Sequence, residues 1–600
     1  MSFMFHPYPY ADPNAVNRVD VPASVQENLT RGILNVAKKI GNLFESGVKT
    51  IGIDAYPGAE YEMLVNVLKQ QLANKGVEFV DAATVMLPSE VITAKIKPYL
   101  PEDREVDPVL LYGRRYLDGY KGLQDADKVA ALFAKIQGAD KLIVYGKGAL
   151  SEELQDAYDV RVWIDVTPRT AVLNCKNGKN KNIGLTEELP YTLMMRRNYY
   201  VDFETAMEQR WKMMRSRKLD YYITADEPTK MSMLPFAALL DLFHELNRRP
   251  FRCRPVYLEG VWGGYYIHRL RNLPKEMRNC AWVFDMIPLE VSLVAMLDDD
   301  AEFEVPFFTF VQAMGPELLG QRAFDEFGGY FPIRFNYDDT FHSSGNMSIQ
   351  CHPDEEYVVS NHGEFGRQDE SYYVVLAGQQ AKTYLGFNEP DSCQKFFEEA
   401  ERVEKTHEIM DYEQYVNYVP SVPGTQVMIP AGTIHASGRN QLILEIGSLT
   451  VGSYTYKLYD YQRLDPQTGV PRPIHLKMGK DVIRGERDAK FVNENLVNHG
   501  GLVREGDGFK EIIVGEHDLL YFSLRNLIFD QEITDETDGL FHVLALVDGE
   551  KVRVESVDDP SLYYEMNSLD MAVIPANFGK YRIRNLGVGT VTVHKTHLKR

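Results

Sequence analysis

Cysteines are few in this chain and follow no pattern. Five thiols (Cys175, Cys253, Cys280, Cys351, Cys393) are spread over 600 residues, odd in number and without a C-x-x-C pair. That excludes a disulfide framework and points to a reducing compartment. Basic residues are in deficit: 65 Lys+Arg against 86 Asp+Glu leave a formal charge of −21. Nucleic acid and anionic membranes, which need a basic surface, are therefore not expected partners. No apolar run reaches the ~18 residues of a transmembrane helix; residues 280–297 are broken by Asp285 and Glu290. The opening MSFMFHPYPYADP lacks the basic-then-apolar pattern of a leader. These absences predict a soluble cytoplasmic protein and leave homo-oligomerisation open. What is present is ordinary: 44% hydrophobic and 25% charged residues exclude disorder and collagen. The length allows about four units at ~150 residues each.

The first half alternates helical and β-branched segments. Helical spacing covers 31–47, 61–76 and 127–136, and apolar strands cover 48–54, 77–82, 141–146 and 160–166. That order predicts βαβ units on a mostly parallel sheet. The stretch 174–184 reads as a loop. The basic, aromatic stretch 194–218 carries Asp202, Glu204 and Glu208, so it is expected to be a solvated helix or the remnant of a lid, not a nucleic-acid helix. From about residue 330 the pattern changes to short strands separated by Gly, Pro and Asn, such as SYYVVLAG, TQVMIPAG and NQLILEIG. This is the pattern of an all-β sandwich or barrel. GTQVMIPAGTIH (424–435) is echoed by LDMAVIPANFGK (569–580), with His435 opposite Lys580. The echo suggests a second barrel that lost its polar equipment.

The densest chemistry lies at SIQCHPDEEY (348–357). In a strand Gln350 and His352 share one face, and Cys351 points the other way as a packing residue. Glu370 heads the next strand and His435 follows the IPAG turn. Two imidazoles, a carboxylate and an amide are a plausible shell for Zn²⁺ or a similar divalent ion, with room left for water or substrate.

These residues carry a family resemblance. FPIRFNYDDTFHSSGNMSIQCHPDEEY (331–357), IPAGTIHASG with LILEIG, and YTYKLYDYQRLDPQTGVPRPIHL (454–476) resemble the FPxxxK…LSxQxHPDDxYA, VPAGTxHAxG, LExQ and TYRxYDYxR segments of the class I mannose-6-phosphate isomerases, which are cupin enzymes. WGG (262–264) and PELLG (316–320) fit the entry region of that family. The resemblance spans roughly 250–600. It implies Gln350, His352, Glu370 and His435 as ligands of one metal per chain, and a small-molecule sugar phosphate as substrate. The implied reaction interconverts mannose 6-phosphate and fructose 6-phosphate through a cis-enediol. Lys457, Glu445 and Arg463 are the implied catalytic candidates, and Arg334 and Arg367 the substrate-binding ones. The family cations are altered or displaced: Lys457 replaces an arginine, Ser453 an aspartate, Gln368 and Asn336 lysines. A non-catalytic metal cupin that senses a sugar or sugar phosphate is the rival expectation.

In the first half, KTIGIDAYPGAEYEML (49–64) has the outline of strand, phosphate loop and helix, but Glu60-Tyr61-Glu62 stands where Gly-Lys-Ser/Thr belongs. DPVLLYGRRYLDGYKGL and VRVWIDVTPRT resemble segments of P-loop uridine-kinase-like proteins. That implies a degenerate kinase-like α/β domain without nucleotide; the two carboxylates argue against an active kinase. The expected architecture is multidomain α/β plus all-β. It comprises a P-loop-like domain over 1–225, a helical connecting and entry region over 226–330, a metal-binding cupin barrel over 331–480 and a second cupin barrel without metal ligands over 481–600.

Overall fold

A computed structural model describes residues 6–298, 301–343, 345–465 and 469–599. Residues 1–5 of the opening stretch, Ser344 and residues 466–468 of the quoted motifs lie outside the described residues. The chain is mixed α/β with several sheets. In the first half, β1 (Thr50–Ala55), β2 (Glu78–Asp81), β3 (Leu142–Tyr145), β4 (Val160–Asp165) and β5 (Tyr221–Thr224) run parallel in the order β5-β4-β1-β3-β2. An antiparallel strand, β6 (Ser232–Pro235), follows β5, and the two-residue strand Thr30–Arg31 pairs with its outer side. All six residues of β1 are buried, as a central strand covered on both faces requires. Helices Ile33–Leu43, Tyr61–Gln71 and Ala126–Gly138 alternate with these strands. The first continues as a short turn of 3₁₀ helix to Ser46 and stops at Gly47, whose φ of 95° suits glycine.

The basic stretch departs from expectation. Tyr191–Arg197 and Phe203–Arg215 are helices joined by a π-turn over Asn198–Asp202, and most of this stretch is buried rather than solvated. Its charges are spent locally. Arg210 makes a bidentate pair with Asp165 (2.9 and 3.1 Å) and reaches Gln312 of the second half (2.9 Å). Glu204 pairs with Arg115 at 2.6 Å.

Residues 226–330 are not simply helical. Besides β6 and helices such as Phe236–Asn247 and Phe307–Leu319, they supply β7 (Val256–Leu258) and β8 (Trp282–Met286) to the sheet of the first barrel. The Asp285 that interrupts the apolar run is fully buried against Arg271, at 3.0 Å, so a charge inside a strand is compatible with the core.

Two pairs of facing sheets follow. The first contains β9 (Ile333–Asp339), β10 (Ile349–Cys351), β11 (Glu370–Ala377), β12 (Lys382–Phe387), β13 (Val416–Pro420), β14 (Gln426–Ile429), β15 (His435–Ser437), β16 (Gln441–Ser448) and β17 (Tyr456–Tyr459). With β7 and β8 these give the orders β14-β11-β16-β9-β8-β7 and β13-β12-β15-β10-β17. The second contains β18 (Leu502–Gly506), β19 (Phe509–Gly515), β20 (Phe522–Phe529), β21 (Glu532–Glu536), β22 (His542–Asp548), β23 (Lys551–Ser556), β24 (Tyr563–Asn567), β25 (Met571–Ile574), β26 (Lys580–Asn585) and β27 (Val591–Leu598). Its orders are β25-β22-β27-β20-β19-β18 and β24-β23-β26-β21, so the second barrel repeats the wiring of the first except for β17, which has no counterpart among the described residues. Among the described residues no helix is long and apolar enough to cross a membrane.

Candidate metal centre and cleft

The antiparallel neighbours β10 and β15 set Gln350 opposite His435, and His352 leaves the end of β10 at the proline that stops the strand. Glu370 opens β11 opposite Ile429 of the IPAG turn. All four side chains are buried. His352 Nε2 lies 3.0 Å and His435 Nε2 3.3 Å from Glu370 Oε2, and the Gln350 amide is 3.4 Å from His435 Nε2. Ligand atoms of His352, Glu370 and His435 all fall within 4.8 Å of one another.

Two observations fit a candidate metal shell better than a packed polar cluster. His352 Nε2 and Glu370 Oε2 are close, yet neither has an aligned hydrogen bond; both sets of lone pairs face a shared point. Each imidazole also gives its other nitrogen to a backbone carbonyl, His352 Nδ1 to Tyr454 at 3.0 Å and His435 Nδ1 to Thr433 at 2.9 Å, which fixes Nε2 as the inward donor atom. Burial holds His352 below the usual imidazole range even beside Glu370, so the ring is neutral and able to ligate. Burial opposes the charge of Glu370. The permanent cation Arg334 beside it favours the charged form, and the carboxyl is held well below its usual range. Gln368, at the position of a family lysine, works from behind: its oxygen accepts from Tyr454 N (2.8 Å) and its nitrogen lies 3.1 Å from His352 Nδ1.

Gln350 and Glu370 of this set line a cleft. Arg334 and Asn336 of β9, Glu445 of β16, Lys457 of β17, Ser348, Ser453, Arg472 and His475 line it too, together with Trp262 and Trp282. Arg334 bonds Glu370 and sits 3.4 Å from Glu445. Burial, with the charges of Glu370 and Asp338 nearby, pushes Glu445 well above the carboxylate range, and burial chiefly pushes Asp338 up to about 7. Lys457 has no hydrogen-bond or ion-pair partner among the described residues. Burial, then Arg472 and Arg463, lowers it to about 8.

Two of the expected cations are elsewhere. Arg367 pairs with Asp369 (2.6 Å) and faces Glu355 and the Leu519 carbonyl. Arg463 pairs with Asp460 (2.8 Å) over the Tyr461 ring, in a neighbouring groove with Arg439 and Tyr412. In each case a carboxylate two or three residues away captures the guanidinium before the cleft does. Arg472 and His475 take their place; they lie in the quoted PRPIHL run, and only the chain's return after β17 brings them in.

The cleft also has a roof that sequence reasoning missed. Val109, Leu111 and Tyr112, from the first half, line it. Tyr112 donates its hydroxyl to the Thr455 carbonyl (2.6 Å), and Asp107 lies 3.3 Å from His475 Nε2. Asp107 also accepts from the backbone N–H groups of Leu111 and Tyr112. Leu110, at φ 53°, turns this strap sharply. Arg196 of the buried helix donates to the Tyr112 carbonyl. With the strap in place the cleft has about 80 Å³ of free space, enough for a few waters.

A buried His/Glu/His cluster at the open end of a β-barrel, beside a lysine-bearing cleft, defines a candidate metal-dependent site. Part of the chain is similar to known proteins. The chain is 26% identical over 242 residues to the mannose-6-phosphate isomerase of Streptococcus mutans, covering 38% of this chain and 67% of that protein. It is 26% identical over 240 residues to the mannose-6-phosphate isomerase ManA of Bacillus subtilis, covering 40% and 69%. A solved zinc-bound mannose 6-phosphate isomerase aligns with a TM-score of 0.44 at 13% identity, covering 59% of this chain and 100% of that one. Residues 32–248 match a domain of unknown function, DUF8485.

Proposed function

We propose that the chain is a metal-dependent aldose–ketose isomerase interconverting mannose 6-phosphate and fructose 6-phosphate, working on this small molecule in the cytoplasm. The observation that carries the reading is that Glu370 and Gln350, of the His352–Glu370–His435 cluster and its amide neighbour, line the same cleft as the unpaired Lys457, supported by the sequence likeness to mannose-6-phosphate isomerases. A divalent ion such as Zn²⁺, one per chain, held by these three residues and Gln350, would supply Lewis acidity toward the carbonyl and enediol oxygens. The residues do the rest. Lys457, poised near the working pH, takes the C2 proton and returns it to C1 through the cis-enediol, and Glu445 donates to the oxygens. Arg472, with Ser453 and Thr455 beside it, offers donors to the phosphate. A coupled assay for fructose 6-phosphate from mannose 6-phosphate, with and without Zn²⁺, tests the reading; a metal-loaded protein without turnover sinks it. The narrow cleft and the capture of Arg367 and Arg463 favour a second reading, a metal cupin that senses a sugar or sugar phosphate. Binding of mannose 6-phosphate without turnover selects it.

A hexose phosphate exceeds the free space in the cleft, so entry requires the strap to yield. A closed strap weakens apparent affinity by the fraction of time it is open. Removing one hydrogen bond of about 1 kcal/mol in Tyr112→Phe is expected to lower KM by about fivefold with kcat nearly unchanged. A raised KM would mean that the tyrosine hydroxyl binds substrate instead.

Residues 1–225 fit a kinase-like unit that no longer binds nucleotide. At the loop after β1, the Gly58 N–H donates to Asn180 Oδ1 (3.1 Å) and the Ala59 N–H to the Tyr56 carbonyl (3.0 Å). Lys147 is held by Asn180 and the Lys181 carbonyl, both at 2.6 Å. The groups that would cradle a phosphate are already engaged, with Glu60 and Glu62 beside them. Calorimetry with MgATP is expected to show no binding heat; measurable affinity would restore the kinase reading.

A further inference from the structure

The repeated wiring lets positions in the two barrels be equated by register. Ile429 and Ile574, the isoleucines of the two Ile-Pro-Ala turns, pair with Glu370 and His542 respectively. On the next strand Glu370 faces Gly447, and His542 faces His597. One strand further, Arg334 and Asn336 face Gly447 and Glu445, as Ser523 and Arg525 face His597 and Lys595. So Glu370, Glu445, Arg334 and Asn336 correspond to His542, Lys595, Ser523 and Arg525. The end of the second barrel that matches the metal centre has not lost its polar side chains; it has exchanged them. Apolar residues such as Leu527, Leu544 and Val593 fill the interior beyond.

These groups line a cavity of about 630 Å³, within the range of small-molecule sites. Lys595 is 2% exposed and bridges Glu511 (2.8 Å) and Asp535 (2.5 Å), while Arg525 and Arg504 also hold Glu511, at 2.9 and 2.6 Å. Burying such a network is costly and seldom raises stability, which leaves its position to be explained by use. His542 gives Nδ1 to Tyr581 Oη (2.8 Å), whose hydroxyl donates to Asp535 (3.0 Å), and His597 gives Nδ1 to the Leu598 carbonyl (2.8 Å). Both rings therefore keep Nε2 as an acceptor, with no partner among the described residues. Burial lowers them to about 3 and about 4, so they are neutral.

We infer that the mouth of the second barrel is a separate binding site for a neutral polyhydroxy ligand of monosaccharide size. A fully ionised anionic group has no proton to give the two imidazole acceptors, and the outer lining carries Glu516, Asp518, Glu536 and Asp538 against Arg504 and Lys599. A cation meets Arg525 and Lys595 at the floor. Hydroxyls donate and accept, so vicinal hydroxyls satisfy both kinds of group at once. The site holds no metal cluster like the first; among the described residues only His352, Glu370 and His435 form one.

The test is a titration of the full metal-loaded chain with methyl α-mannoside, which is neutral and has no free carbonyl to isomerise, read by saturation-transfer NMR and calorimetry. Binding of about millimolar strength is expected in the wild type and in His352→Ala, and at least tenfold weaker in His597→Phe, whose ring fills the mouth without offering an acceptor. Arg525→Gln, which shortens a donor without filling space, is expected to weaken binding too and covers the case in which His597→Phe does not fold. Mannose 6-phosphate should bind His352→Ala at least tenfold more weakly than the mannoside. No binding to the wild type, loss in His352→Ala with retention in His597→Phe, or tighter binding of the phosphate overturns the proposal. None of these outcomes depends on isomerase turnover.

Discussion

In His352→Ala, metal content is expected to fall from one ion per chain to near zero, and kcat/KM for mannose 6-phosphate by about 10³-fold or more, a loss of roughly 4 kcal/mol in transition-state stabilisation. Glu370 and His435 alone leave two of the three close donors, fewer than the three protein ligands of a catalytic zinc site. Metal analysis of the purified variant beside a coupled assay checks both parts. Metal retained at full occupancy would sink the assignment of the centre. His352 is a cleaner probe than Glu370, because Glu370→Gln also takes from buried Arg334 its nearest counter-charge, and breaking a buried ion pair costs about 3–5 kcal/mol by itself. Chelation of the wild type should reproduce the loss, and Zn²⁺ should restore it.

Lys457→Met should lower kcat by about 10²–10⁴-fold, the usual worth of a positioned acid–base group, while making the protein more stable. The sign follows from the depressed lysine. Its folded value of about 8 lies below the ordinary ~10.4 of an unfolded lysine, so the unfolded chain binds more protons between these values and stability rises with pH across that window. Below pH 8 the full penalty is present; Met removes it. The side chain is half-buried by exposed surface although its ammonium lies deep in the cleft, so cleft water offsets part of the penalty and the gain at pH 7 is expected to be about 1–2 kcal/mol. By pH 10.5 the gain disappears. Denaturant melts at pH 7 and pH 10 measure this, and the pH profile of kcat/KM should rise through about 8. A profile that falls there would assign the ammonium form to the reaction instead of the free amine.

The metal cluster was legible because each ligand is announced locally. Strand alternation puts Gln350 and His352 on one face, and a Pro-Ala-Gly-Thr turn delivers His435. The parallel strand order of the first half was legible for the same reason, from the alternation of strands and helices. What failed to show was long-range. Arg472 and His475 enter the cleft only because the chain folds back, and Val109 to Tyr112 come from more than 300 residues upstream. Arg367 and Arg463 looked available because sequence spacing does not reveal that Asp369 and Asp460 lie within ion-pair reach. In the second barrel only the Ile-Pro-Ala echo was visible; its polar set is dispersed over β19, β20, β21, β22 and β27, and register alone gathers it.

The strap held by Arg196 ties the fortunes of the two halves together. The α/β half furnishes masonry for a pocket whose chemistry belongs to the barrel. A lesion in the sheet around β4, far from any metal ligand, would then surface as a change in substrate affinity. Barrel and α/β half expressed as two separate polypeptides should regain full selectivity only when they reassemble, because the pocket has an author in each.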